Sequence, residues 1–264
     1  MSANKVMGSI ISIVNQKGGV GKTTTAVNLS AGLSILGKKC LLIDLDPQGN
    51  ATSGFGIQKE KLSHTIYDIF IDENAQIENT IKSTLLENIS VVPADNDLIG
   101  ANVELHSIEN RERILRGKCE KIRYKYDFIF IDCPPSLGYL TLNALVASDS
   151  ILIPLQCEFF AMEGLAQLVN TYELVKARLN KTLYIEGILL TMFEETMHIS
   201  KEVEMEVRNR FPQKVFKTRI PRDSALSEAP SFGKPIMLYD IISKSSTAYM
   251  LLSKEVLSNA AKVR

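Results

Sequence analysis

The sequence predicts an α/β fold of three layers, in which helices flank a mostly parallel central sheet. Apolar runs of strand length alternate along the chain with longer segments of helical period, as in parallel strands joined by crossover helices. The strand-like runs are apolar at consecutive rather than alternate positions, which indicates strands covered by helices on both faces.

The predicted elements follow one another in a regular order. Residues 9–14 form an apolar strand, and residues 22–36 form a helix that ends at Gly37, since glycine is favoured just after a helix. The helix at residues 199–211 has an apolar stripe and stops at Pro212. Further strands are predicted at residues 39–45, 89–93, 127–132, 150–155 and 183–192, and further helices at residues 109–123, 138–147, 162–179 and 245–261.

Length and composition fit a single domain over residues 1–264. The chain is 45% hydrophobic and 23% charged, and it is long enough to bury a large core without disulfides. No repeat, low-complexity tract or Gly/Ser linker divides it, and the polar stretch at residues 48–61 is predicted to be a loop within the domain.

Charge, cysteine usage and hydropathy exclude several classes of protein. The 30 basic and 30 acidic side chains cancel, so any binding to nucleic acid or anionic lipid must be local. The four cysteines form no CxxC pair, which favours a reduced, cytoplasmic protein. No apolar run reaches the roughly 20 residues of a membrane helix, and residues 1–9 lack the apolar block of a signal peptide.

A glycine-rich loop joins the first strand to the first helix, which is the context that a phosphate-binding loop needs. Its glycines let successive amides face phosphate oxygens. Lys22 is expected to neutralise the β- and γ-phosphates of ATP, and the Thr23 hydroxyl to bind Mg²⁺. Gln16 stands where the GxxxxGK[ST] pattern has glycine. The loop predicts a P-loop NTPase fold, and it consists of Lys17, Gly18, Gly19, Val20, Gly21, Lys22, Thr23 and Thr24.

Acidic residues follow two of the predicted strands. Asp132 comes after four apolar residues, where a carboxylate is costly without a counter-charge, and it is predicted to hold the metal. Asp44 and Asp46 follow another strand, and alternation places them on opposite faces if the strand continues. We favour Asp46 for the metal and for orienting the attacking water, because it lies nearer the loop at residues 47–50, and Asp44 for a structural role.

These motifs together resemble the deviant Walker A ATPases and, among them, the ParA/Soj branch that partitions chromosomes and plasmids. The loop KGGVGKTT carries the extra lysine of that family. The other matching segments span most of the chain and are DLDPQGNAT (44–52), FIDCPPSLG (130–138), QCEFFA (156–161) and LSEAPS (226–231).

The resemblance implies a nucleotide-switched homodimer. Lys17 would reach the nucleotide of a second copy, so that ATP joins two copies and ADP leaves them apart. Pro221 and Arg222 would lie near the adenine. ParA/Soj proteins bind double-stranded DNA nonspecifically as ATP dimers, associate with the nucleoid in the cytoplasm, and are released when a ParB-like partner stimulates hydrolysis.

A basic segment offers a local site for DNA. Residues 207–222 contain six bases and no acid, a density sufficient for phosphate contacts. The chain departs from the family at Thr196 and Ala225, where Soj-like members carry arginines implicated in DNA contact, and Glu194 and Glu195 add negative charge beside the first. Either DNA binding is weak or lost, or the contacts have moved, as we favour, to Arg208, Arg210, Lys214, Lys217, Arg219 and Arg222.

Other protein families that share the phosphate-binding loop are alternatives to a partition ATPase. A MinD-like membrane-associated ATPase should end in a basic amphipathic helix, but residues 255–264 contain only Lys262 and Arg264 as bases and no aromatic residue. A cluster-carrying relative needs cysteine ligands from both subunits, and only Cys133 lies near the metal-side acid. A P-loop kinase would need an acceptor-binding insert, and none is evident in so short a chain.

Overall fold

Seven strands form one sheet within residues 7–263, which are the residues that the computed structural model describes, with side chains to residue 261. The strands are β1 (Ser9–Ile13), β2 (Cys40–Asp44), β3 (Lys82–Ser83), β4 (Ile89–Val92), β5 (Phe128–Asp132), β6 (Ser150–Gln156) and β7 (Tyr184–Thr191). They lie in the order β3-β4-β2-β5-β1-β6-β7, and every pairing is parallel except that of β3 with β4.

Helices cover both faces of this sheet. In chain order they are α1 (Lys22–Ile35), α2 (Asn50–Gly54), α3 (Ile66–Ile71), α4 (Leu98–Glu104), α5 (Ile114–Ile122), α6 (Tyr139–Ala147), α7 (Ala161–Arg178), α8 (His198–Arg210), α9 (Ala225–Glu228), α10 (Ile236–Tyr239) and α11 (Lys244–Val263).

The central strands are buried on both faces, which explains their unbroken apolar sequences. In β5, Phe128 and Phe130 pack in the core beneath α1 and α11, whereas Ile129 and Ile131 pack in the core beneath α5, α6 and α7. Each such side chain contributes roughly 1.5–3 kcal/mol when fully buried. The three-layer α/β architecture predicted from the sequence is confirmed.

The predicted strands and most predicted helices are present, with ends within two residues of those expected. Two expectations are corrected. The helix expected at residues 109–123 begins at Ile114, because a 3-10 turn at Arg111–Arg113 precedes it. The stretch at residues 48–61 is not simply a loop, since it contains α2 and a 3-10 turn at Lys59–Lys61.

Several short elements escaped prediction because they are too short to show a hydrophobic period. They are β3, α3, α4, α9 and α10. The start of α3 did carry a local signal, since the Thr65 hydroxyl accepts a hydrogen bond from the Tyr67 amide and the Asp68 carboxylate accepts one from the Thr65 amide.

The strand register brings the functional loops to one edge. Ile13 of β1 lies beside Asp132 of β5, and Asp132 lies beside Asp44 of β2. Because these strands are parallel, the loops that follow β1, β2 and β5 meet at their carboxyl ends, where ligands bind in open α/β sheets.

Two further features of the structure concern the length of its apolar helices and the state of its cysteines. No helix within residues 7–263 is both long and apolar enough to cross a bilayer. The cysteines Cys40, Cys119, Cys133 and Cys157 are all buried and free. Most of residues 1–9 and the bases Lys262 and Arg264 lie outside the described side chains.

The packing of α1 against α11 predicts an unusual response to a glycine substitution. In Gly32→Ala the new β-carbon would overlap the Ser253 hydroxyl and lie 3.1 Å from the Met237 methyl carbon. We expect the free energy of unfolding, measured in urea, to fall by about 1–3 kcal/mol, despite the better helix propensity of alanine.

The matched control is Gly117→Ala in α5, where an added β-carbon meets nothing within 4 Å. This variant should gain about 0.5–1 kcal/mol. A similar gain in Gly32→Ala would contradict the described contact between α1 and α11.

Candidate functional site

The glycine-rich loop is held in place at both ends. The Asn15 amide donates to the Pro154 carbonyl at 2.7 Å and its oxygen accepts from the Lys17 amide at 3.0 Å. At the other end, the Thr191 hydroxyl donates to the Val20 carbonyl at 2.9 Å. The loop is therefore fastened to the ends of β6 and β7. Asn15 and Thr191 were not singled out from the sequence.

The glycines form an open cradle. Gly19 and Gly21 have φ angles of +76° and +86°, a left-handed conformation that other residues adopt at a cost. Apart from each glycine's neighbours in the chain, no atom of the described residues lies within 4 Å of a β-carbon built on Gly18 or Gly19, so free space faces the loop. Gly21 caps α1 without a side-chain hydrogen bond, and the first turn of α1 has no acid. The arrangement fits a phosphate group, because the free amides and the helix dipole both favour an anion there.

Lys22 places a cation in this cradle with little solvent around it. Its side chain is buried, with 7% of the residue exposed, and its Nζ donates to the Lys17 carbonyl at 2.9 Å. Burial lowers the pKa of Lys22, and the Asp132 carboxylate opposes that effect. A desolvated ammonium of this kind is stabilised by a bound anion.

Asp132 is a fully buried carboxylate beside the Thr23 hydroxyl. Both of its oxygens are inaccessible to solvent and neither accepts a hydrogen bond from a described residue. Burial raises the pKa of Asp132 well above its usual range and the neighbouring Asp44 raises it further, whereas the Thr23 hydroxyl and Lys22 act in the opposite direction. An orphan carboxylate beside a hydroxyl fits Mg²⁺, which prefers oxygen ligands and binds through one or two carboxylates plus substrate phosphates.

The two acids after β2 differ sharply in surroundings. Asp44 is fully buried and accepts hydrogen bonds from the Thr52 hydroxyl and amide, both at 2.8 Å, and from the Asp46 amide at 3.1 Å. Burial raises the pKa of Asp44, and these hydrogen bonds oppose that effect. Asp46 is half-buried in the loop, and its charge acts on Lys22. Asp44 thus holds the loop together, whereas Asp46 remains available to a ligand.

A pocket of about 110 Å³ adjoins the loop. Pro221 and Arg222 line it together with Gly21 and Thr24, and the contact of these two residues with the adenine stays a prediction. The Arg222 guanidinium donates to the Glu194 carboxylate at 2.8 Å. The remaining lining residues, which the sequence did not indicate, are Thr191, Met192, Ile220, Asp223, Leu226, Ser227 and Tyr249.

Two of these unpredicted residues shape the pocket. Met192 has a φ angle of +50°, an uncommon conformation for a residue other than glycine. The buried Tyr249 hydroxyl lies 3.3 Å from the Thr25 hydroxyl. Tyr249 comes from α11, far along the chain from the loop, so no local pattern could have indicated it.

Lys17 lies on the exposed side of the loop, with 42% of its side chain accessible, and pairs with Glu158 of the same chain. The exposed aromatic residues Phe159 and Phe160 follow Glu158. The expected contact of Lys17 with the nucleotide of a second copy therefore remains a prediction, and it requires the pair with Glu158 to open.

Only part of the positive charge in the predicted DNA-contact segment is left uncompensated in the folded protein. Acids from outside residues 207–222 pair with three of its six bases: Glu204 with Arg208 at 2.8 Å and with Arg219 at 2.9 Å, and Glu194 with Arg222 at 2.8 Å. Within the described part of the chain, no acid pairs with the exposed bases Arg210, Lys214 and Lys217. Of the two departures from the family, Thr196 is exposed and Ala225 is buried.

The chain is similar to known proteins along most of its length. A family model described as an AAA domain matches residues 8–185. The chain is 54% identical over 253 residues to the sporulation initiation inhibitor protein Soj of Bacillus subtilis, and the match covers 96% of this chain and 100% of that protein. It is 53% identical over 251 residues to the chromosome partitioning protein ParA of Myxococcus xanthus, covering 95% and 88% respectively.

The chain is also similar to a protein whose structure was solved with a bound nucleotide analogue. Cobyrinic acid a,c-diamide synthase from Mycobacterium smegmatis, with bound ATP analogue and magnesium, has a TM-score of 0.85 and 32% identity, and the match covers 97% of each chain. Because the likeness to Soj and ParA runs through nearly the whole chain, this chain belongs to the Soj/ParA family and is an ATPase that uses ATP with Mg²⁺.

Proposed function

We propose that this ATPase partitions chromosomes or plasmids. Its ATP-bound homodimer binds double-stranded DNA nonspecifically, and hydrolysis stimulated by a ParB-like partner releases it. It acts in the cytoplasm on the nucleoid. The observation that carries this proposal is the 54% identity to Soj over 96% of the chain.

The roles of the site residues follow from their surroundings. The loop amides and Lys22 hold the triphosphate, since both offer positive charge in a partly dehydrated cradle. Thr23, Asp46 and Asp132 would hold magnesium, which would supply positive charge to offset the negative charge of the phosphates. Asp46, at the mouth of the site, orients the attacking water in line with the γ-phosphate. Pro221 and Arg222 flank the base in the adjoining pocket.

The dimer switch uses an ion pair that is easily opened. Lys17 and Glu158 are both partly exposed, and an exposed pair contributes only about 0–1 kcal/mol. The triphosphate of a second copy carries more negative charge than one carboxylate, so Lys17 gains by leaving Glu158 when ATP joins two copies. ADP lacks the γ-phosphate and attracts Lys17 less.

DNA binding draws on Arg210, Lys214 and Lys217, whose side chains form no ion pair with an acid of the described residues. Dimerisation doubles their number, and each phosphate contact releases counterions, so binding should be strongly salt-dependent. The arginines held by Glu194 and Glu204 contribute less, because their charge is already compensated.

Sizing of the protein without nucleotide, with ADP and with ATP tests the switch. Asp46→Ala should bind ATP but hydrolyse it about 100-fold or more slowly, because the attacking water loses its orienting group, and it should accumulate as an ATP dimer. Lys17→Ala should bind ATP and remain monomeric in light scattering. Lys181→Ala, which removes another exposed lysine, is the control and should behave as wild type. One unchanging oligomer under all conditions contradicts the proposal.

The triple variant Arg210→Ala, Lys214→Ala and Lys217→Ala tests the DNA contacts. With ATP, its affinity for nonspecific duplex should fall, and the slope of log affinity against log salt should decrease by roughly 1 for each phosphate that is no longer neutralised. Measurement is by fluorescence anisotropy over a salt series. A matched variant that replaces Lys61, Lys121 and Lys181, which are exposed elsewhere, should change little. An equal fall in affinity in both variants would place the DNA contacts elsewhere.

The raised pKa of Asp132 predicts a pH-dependent stability in the absence of nucleotide and metal. A carboxyl whose pKa is higher in the folded than in the unfolded state binds more protons when folded. Stability is therefore lost as pH rises from the unfolded pKa through the folded one. The free energy of unfolding of wild type should fall relative to that of Asp132→Asn as pH rises above the ordinary aspartate pKa of about 3.9, measured in urea with EDTA.

Mg²⁺ and ATP should reverse this relation, because the cation stabilises the ionised Asp132 and adds binding free energy to wild type. Parallel pH curves for the two proteins, with equal stabilisation by Mg²⁺ and ATP, would show that Asp132 does not hold the metal.

A further inference from the structure

The Thr52 side chain occupies a buried junction between two segments that follow neighbouring strands. Thr52 is fully buried in α2. Its hydroxyl donates to the Asp44 carboxylate at 2.8 Å and accepts from the Ala94 amide at 3.0 Å. Its own amide donates to the same Asp44 oxygen at 2.8 Å. One side chain thus joins the end of β2 to the segment that follows β4.

The direction of these hydrogen bonds fixes the orientation of the Thr52 hydroxyl. The Ala94 amide can only donate, so the hydroxyl must use a lone pair there, and its single proton must go to Asp44. Loss of the hydroxyl would leave the buried Ala94 amide without its partner and remove one donor from Asp44. Unpaired buried groups of this kind are costly, so the junction is well defined.

The same carboxylate fixes the start of the loop that carries Asp46. The other Asp44 oxygen accepts from the Asp46 amide at 3.1 Å. The Asp46 carboxylate accepts from the Gln48 amide at 2.9 Å, and the Gly49 amide donates to the Asp46 carbonyl at 2.8 Å. The loop therefore has a defined shape that begins at Asp44.

The segment after β4 also limits the far end of this loop. Gly49 has a φ angle of +59°, and a β-carbon on it would come within 2.7 Å of the Ala94 carbonyl oxygen. Ala94 thus contacts the loop at Gly49 and anchors Thr52 through its amide. The position of Asp46 depends on both contacts.

We propose that Thr52 is a positioning residue for ATP hydrolysis, which holds Asp46 in place by fastening Asp44 to the end of β4. This inference rests on the proposed role of Asp46 in orienting water. Lys22 and the glycine-rich loop proposed to hold the phosphates are separate from the loop that carries Asp46, so loss of the Thr52 hydroxyl should slow hydrolysis and leave ATP binding nearly unchanged.

The experiment compares Thr52→Val, which keeps the shape and removes the hydroxyl, with Thr52→Ser, which keeps the hydroxyl. In the full chain with Mg²⁺ and ATP, kcat of Thr52→Val should fall about 10- to 100-fold. This is the range expected when the Asp46 carboxylate is displaced by up to about 1 Å. KM should stay within about threefold, and Thr52→Ser should keep at least about half the wild-type kcat. Thr52→Ala serves the same purpose if Thr52→Val does not fold.

Thr80→Val is the matched control, because Thr80 is also buried and its hydroxyl donates only to the Ile77 carbonyl, away from the site. It should lower stability without lowering kcat per folded molecule. Wild-type kcat in Thr52→Val or Thr52→Ala would overturn the proposal, as would an equal loss in Thr52→Ser. Asp46→Ala distinguishes failure of the proposed role of Asp46 from failure of the proposed role of Thr52. If Asp46→Ala still hydrolyses ATP, the proposed role of Asp46 fails, whatever the Thr52 variants show.

Discussion

Two opposite charges buried at the carboxyl edge of the sheet govern this site. Lys22 and Asp132 are both removed from water; Lys22 donates to the Lys17 carbonyl, and the Thr23 hydroxyl lies beside the Asp132 carboxylate. Each is costly in the free protein, because an ion pair in a dehydrated setting needs further hydrogen bonds to offset desolvation. An anion on the Lys22 side and a cation on the Asp132 side remove that cost together. The site is therefore built for a metal-bound phosphate rather than for either ion alone.

The remainder of the fold keeps these charges where water cannot compensate them. The strands β1, β2 and β5 are covered on both faces, and their parallel register brings the three functional loops together. Close-packed interiors resist deformation, so the cost of the buried charges is not relieved by local collapse. Hydrogen bonds from Asn15 and Thr191 fasten the phosphate loop to β6 and β7, which preserves the open space above Gly18 and Gly19.

Around this rigid centre, the groups proposed to act between molecules are exposed and held by weaker interactions. Lys17 pairs with Glu158 at the surface, and part of the basic segment is compensated by Glu194 and Glu204. Surface ion pairs of this type exchange partners at small cost, whereas the buried Asp44 and Thr52 network does not. The division suits a protein whose nucleotide chemistry must be precise and whose contacts with other molecules must be reversible.

The sequence alone determined the fold class, the phosphate loop and the acid at the end of β5. Each of these is written in consecutive residues: a hydrophobic period, a glycine-rich turn between strand and helix, or a carboxylate that ends an apolar run. It also favoured Asp46 over Asp44 as the residue that faces the ligand, which stays a prediction. In the structure, Asp44 accepts three hydrogen bonds, two from Thr52 and one from the Asp46 amide.

Only the tertiary structure decided which contacts complete the site. Thr191 reaches the loop from a position 171 residues along the chain from Val20, and Ala94 reaches Thr52 from 42 residues away. The acids that compensate Arg219 and Arg222 lie outside the basic segment, so a count of charges along the sequence overstated the free positive charge. Such contacts arise when strands pair and helices pack, and a local pattern carries no record of which distant side chain the fold will bring beside it.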